Sequence, residues 1–173
     1  MKVNKLNVRK LNLAGMLIAI GVVCSPLNLP IGVAKCFPVQ HIINVIAGVF
    51  LGPFYALGMA FSASLIRNIL GTGSILAFPG SMCGAFLCGY MYKIFRKLPL
   101  AYLGELIGTG IFGSILAFPL ASFILGNKEV ALFTFILPFG ISTLVGTIIA
   151  IPIVSVLKRI KFVDEFLNNE MIV

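Results

Sequence analysis

Between Leu11 and Leu157 the chain reads as six apolar stretches, at about 11–33, 37–52, 53–70, 74–92, 99–125 and 130–157, with hardly a charge inside them. An apolar run of roughly 20 residues matches the thickness of a bilayer's hydrocarbon core. Helices satisfy their own backbone there, whereas the strands of a membrane barrel alternate apolar with polar residues, and these runs are apolar all round. Only 10% of the 173 residues are charged, against about a quarter in soluble domains. Too little polar surface remains to coat a water-soluble globule. The expected fold is an all-α integral membrane protein, one domain over 1–173, built as a bundle of six transmembrane helices.

The basic residues supply the orientation. Lys2, Lys5, Arg9 and Lys10 precede the first stretch, Lys93, Arg96 and Lys97 separate the fourth from the fifth, and Lys158, Arg159 and Lys161 follow the sixth. On the other side stand only Lys35, Arg67 and Lys128. The excess of cations on one side places the N- and C-termini in the cytoplasm. The formal charge of +8 resides in these flanks, so nucleic acid is not an expected partner. The basic start followed by LNLAGMLIAIGVV has the outline of a signal peptide. No small-x-small cleavage site follows it, and the first helix is expected to be retained. Cys24, Cys36, Cys83 and Cys88 form no CxxC or Cys/His spacing and read as small packing residues. Neither a metal site nor a cofactor is expected.

Proline and repetition add detail. Pro53 suits the first turn of the third helix. Pro79, Pro119, Pro138 and Pro152 fall inside stretches and are expected to kink them. SILAFP occurs at 74–79 and again at 114–119. In the topology above both copies lie in the outer half, where Phe78 and Phe118 could wall one apolar pocket or simply pack between helices.

The polar residues are few and concentrated. KCFPVQHIIN, residues 35–44, places Phe37, His41 and Asn44 on one helical face with Gln40 beside them and Gly48 continuing the stripe. Ser64, Arg67 and Asn68 make a second patch at the outer end of the third helix. Polar groups at such depth face a cavity or a partner. Apolar walls with a few convergent donors and acceptors are the make-up of a ligand pocket, and interhelical hydrogen bonding is the rival reading. For Lys35 and Arg67 contact with lipid headgroups competes with a role at the site. Glu105 is placed near the cytoplasmic end of the fifth helix, paired with a nearby basic residue. No GxxxxGK[ST], HExxH or GxSxG occurs, so neither a nucleotide-cradling loop nor a hydrolase constellation is present in the sequence. The expected activity is binding, without catalysis.

Residues 35–85 resemble the ThiW family of substrate-binding (S) components of energy-coupling factor (ECF) transporters. The resemblance is carried by FPVQH (37–41), Asn44-Val45, Leu51-Gly52-Pro53, Arg67-Asn68, GTG (71–73) and LAFPGSM (76–82). It implies a six-helix vitamin-binding subunit in the cell membrane of a bacterium. Such a subunit works with a membrane coupling subunit and two cytoplasmic ATPases. The implied cargo is hydroxyethylthiazole, a thiamine precursor; thiamine or another vitamin, and a stand-alone small-molecule channel, are the alternatives. The candidate substrate-binding residues are Phe37, Gln40, His41, Asn44, Arg67, Asn68, Phe78 and Phe118. In S components a pair of small residues four apart on the first helix docks on the coupling subunit, and Gly15 with Ala19 fills that spacing here.

Overall fold

The computed structural model describes residues 5–31, 34–124 and 134–160. Helix α1 spans Lys5–Val23, and α2 spans Pro38–Leu51. Helix α3 covers Pro53–Ile69, α4 Ala77–Phe95, α5 Leu98–Phe123 and α6 Ile136–Leu157. Between α1 and α2 lies an antiparallel hairpin of two short strands, β1 (Leu29–Ile31) and β2 (Ala34–Cys36). The sequence expectation of helix as far as residue 33 is corrected here. Pro26 has no N–H to continue the helix, Ser25 turns its hydroxyl onto Val22 O at 2.7 Å, and the chain turns after α1 before the strand that starts at Leu29. The bundle is therefore helical with one hairpin inserted.

Helix α2 is the centre of the molecule. Ten of its fourteen residues are buried, and it packs against α1, α3, α4, α5 and α6. A helix enclosed on every side can carry amides and an imidazole without showing them to lipid, provided that neighbours answer them. The reversal from α2 to α3 is compressed into Gly52, whose φ of 82° suits glycine alone. Pro53 then opens α3.

Close backbone contact joins α4 to α5. A Cβ added at Gly104 would lie 2.6 Å from Leu87 O, and one at Gly108 would lie 2.6 Å from Cys83 O. Small residues at such crossings let two backbones touch, which is how helices gain packing energy when lipid is the alternative neighbour. Along the same seam α5 widens to a π-helical turn over Gly108–Gly113.

Two prolines differ from expectation. Pro79 and Pro138 are each the third residue of their helix, where no intrahelical N–H bond is lost. They start α4 and α6 and do not bend them. Pro119 and Pro152 are interior. The SILAFP copies also part company: Ser74–Leu76 belongs to the α3–α4 connection, whereas Ser114–Pro119 is helical throughout.

Large apolar side chains are exposed along the described helices. Met16, Ile69, Phe112 and Ile148 are each more than half exposed, while Asn44, Arg67 and Glu105 are at most 1% exposed. Apolar outside and polar within is an arrangement for hydrocarbon, not for water. By length and composition α5 and α6 are able to cross a membrane.

Candidate ligand-binding site

The polar side chains gather at one end of the bundle. That end comprises the starts of α2, α4 and α6, the end of α3, the middle of α5 and the α3–α4 connection. They hydrogen-bond to one another and also border a cavity of about 290 Å³ lined by Phe37, Gln40, His41, Arg67, Ser74 and Phe139 among others.

Arg67, in the last turn of α3, points inward and is 1% exposed. Its Nη1 donates to Gln40 Oε1 at 2.8 Å, and the guanidinium lies 4.0 Å from the centre of the Phe37 ring. Stacking on an aromatic face partly replaces the hydration a buried cation loses. The connection after α3 then folds back over this residue. Thr72 N and Gly73 N both donate to Arg67 O at 2.9 Å. The sequence expectation left headgroup contact open for Arg67; the side chain is instead enclosed within the bundle. The side chain of Lys35, all of Lys128 and the tail beyond 160 lie outside the described residues.

From Gln40 a chain of bonds runs inward. Gln40 Nε2 donates to Asn44 Oδ1 at 3.0 Å. Asn44 Nδ2 donates to Ser81 O at 3.2 Å and to Glu105 Oε1 at 3.1 Å. Glu105 Oε1 also receives Thr109 Oγ1–H at 3.1 Å and stands 2.9 Å from His41 Nδ1. Glu105 is thus the hub of the cluster and is not paired with a cytoplasmic cation, which corrects the sequence reading. On the other side of the imidazole, His41 Nε2 is 3.0 Å from Ser142 Oγ, which also accepts the Phe37 N–H at 3.0 Å. One arrangement satisfies every contact: Nδ1–H donates to the carboxylate, and Nε2 accepts the Ser142 hydroxyl proton. Helix α6 comes close enough to make these bonds because residue 146 is glycine. A Cβ there would lie 2.6 Å from His41 Cβ.

The sequence candidates divide by position. Phe37, Gln40, His41 and Arg67 line the cavity. Asn44 sits one layer behind, holding Gln40 to Glu105. Asn68 binds Ser64 O at 2.8 Å and Ser74 O at 3.1 Å, tying down the connection after α3. Phe78 packs on Phe61 with centroids 5.7 Å apart, and Phe118, half-buried on α5, is not among the lining residues. The aromatic wall is supplied by Phe139 instead, beside Ser142, Ser81 and Thr109. Gly15 and Ala19 lie on the outward face of α1, while Ala14 and Leu17 fill the core.

A small, partly open chamber with two phenyl rings, one imidazole, one guanidinium and several hydroxyls suits recognition of a compact polar molecule. The chain's similarity to known families points the same way. Residues 11–160 match the model of the family described as thiamine-precursor transporter protein (ThiW). The chain belongs to the ThiW family. Membership makes it a membrane transporter protein for a thiamine precursor, which accords with the apolar exterior and the two membrane-capable helices. No match was found among curated proteins or among solved structures.

Proposed function

We propose that this ThiW protein is the substrate-binding S component of an ECF-type transporter. All six helices cross the cell membrane of a bacterium, and both termini face the cytoplasm. The cargo, a hydroxyethylthiazole-type precursor, enters the cavity from outside. A coupling subunit and two ATPases then drive its release inward. The observation that carries this reading is the cavity itself. Its volume of about 290 Å³ is at the small end of the range for ligand pockets, roughly 300–1,000 Å³. That suits one substituted ring better than the two rings of thiamine. Phe139 and the imidazole of His41 offer faces for a heteroaromatic ring, and Gln40, Ser142 and Thr109 offer polar partners.

Both termini inside is supported by the cation count on the two sides. Docking on the coupling subunit is assigned to Gly15 and Ala19, whose outward position allows a partner helix to approach closely. The test is uptake of labelled hydroxyethylthiazole into liposomes. The chain alone should bind without accumulating the compound, and accumulation should require the coupling subunit, the ATPases and ATP. Flux through liposomes containing the chain alone would instead establish a channel.

A further inference from the structure

Arg67 has no carboxylate against it among the described residues. Its Nη1 is taken by Gln40, whereas Nε and Nη2 find no hydrogen-bond partner. Glu105 is the only acidic residue in the described segments, and its bonded oxygen is occupied by His41, Asn44 and Thr109. A buried guanidinium is strongly disfavoured without a counter-charge and filled donor sites. Here the side chain lines the cavity, and its two open nitrogens are adjacent. Nε–H and one Nη2–H point the same way, forming the edge that grips two oxygens of a carboxylate or phosphate side-on.

We propose that the transported molecule carries an anionic group, a carboxylate or a phosphate ester, held by the Nε/Nη2 edge of Arg67. Gln40 and Phe37 fix the plane of the guanidinium from behind, and the ring of the cargo reaches toward Phe139 and His41. This rests on the thiazole reading above and sharpens it: the charged form of the precursor, not the neutral alcohol, is the preferred cargo. It also assigns Gln40 a positioning role, since its carbonyl occupies the one nitrogen that would otherwise let the fork rotate.

The test is titration of the purified full chain with five thiazole and pyridine probes of matched shape. Hydroxyethylthiazole is compared with its phosphate ester and with the corresponding thiazole carboxylate, and nicotinamide is compared with nicotinate. The expected result is binding of one or both thiazole anions at least about tenfold tighter than the alcohol, in line with a charge-assisted, bidentate contact. Which of the two anions binds tighter separates the carboxylate from the phosphate. In Arg67→Gln the preference should collapse, and in Arg67→Lys it should fall between, because a lysine keeps the charge but not the fork. The wild-type comparison needs no variant to fold. If no thiazole binds but nicotinate still outbinds nicotinamide, the thiazole reading fails and the anion site stands. Equal or tighter binding of the neutral member in both the thiazole set and the pyridine pair would overturn the anion site.

Discussion

His41 Nδ1 and Glu105 Oε1 stand 2.9 Å apart inside the bundle, with the carboxylate wholly buried. The two residues are separated by 64 positions in the chain, and their contact ties α2 to α5 directly beneath the cavity. Removing the Glu105 carboxylate leaves the His41 Nδ1–H and one Asn44 N–H buried without an acceptor, at about 1–3 kcal/mol each and about 2–6 kcal/mol together. Glu105→Ala should therefore lower stability by about that much. Glu105→Gln keeps an oxygen acceptor for His41, Asn44 or Thr109 and should lose only about 1–3 kcal/mol. Thermal unfolding of the two variants in the same detergent checks the order; equal losses would remove Glu105 as the hub.

Ser142 serves two partners with one hydroxyl, His41 Nε2 and the Phe37 N–H. Ser142→Ala should destabilise by about 1–3 kcal/mol, the effect of unpairing buried polar groups. Because Phe37 joins the β1–β2 hairpin to α2, the backbone amide at Phe37 should also exchange its hydrogen faster in the variant. Hydrogen exchange read by mass spectrometry distinguishes this local loosening from a uniform loss.

Two glycines test the packing account against each other. A Cβ at Gly146 would press on His41 and on Pro38 O, whereas a Cβ at Gly58 meets nothing within 4 Å. Gly146→Ala should separate α6 from α2 and destabilise by about 1–3 kcal/mol. Gly58→Ala, in a helix interior with open space, should be neutral or stabilising by about 0.5–1 kcal/mol. Unfolding measurements that found the two changes alike would refute the close approach at Gly146.

Gly15→Leu and Ala19→Leu should leave both stability and ligand binding within about 0.5 kcal/mol of wild type, as surface substitutions do. Uptake with the coupling subunit and ATPases present should nonetheless be lost. Parallel binding and transport assays separate the two effects, and undiminished uptake would place the docking surface elsewhere.

The start of α2 was legible in the sequence because Gln40, His41 and Asn44 are conspicuous in an apolar run, and burying them demands an explanation. Arg67 stood out for the same reason. Glu105 was misplaced because position along a segment fixes depth but not the direction in which a side chain points, and it points at α2. Ser142 and Thr109 gave no signal of their own. Hydroxyls inside membrane helices often bond back to their own helix, as Ser114 does to Gly110 O and Ser155 to Ile151 O. The choice of Phe78 and Phe118 over Phe139 fell among fifteen phenylalanines, and only the packing of α6 on α2 selects between them. The end of α1 was overrun because an apolar hairpin and an apolar helix look alike where residues lack a clear period.

The central claim is that the cavity between Arg67, His41 and Phe139 is where the cargo sits. Ala77, at the start of α4, lines that cavity and is only half-buried, so Ala77→Phe can fill the space from its edge. Isothermal titration of wild type and Ala77→Phe with hydroxyethylthiazole and its phosphate ester gives the most direct measurement. Saturable binding of one molecule per chain in wild type, lost in an Ala77→Phe protein that unfolds at the wild-type temperature, is the predicted result. Equal affinity in both proteins would contradict it and put the binding site elsewhere in the bundle.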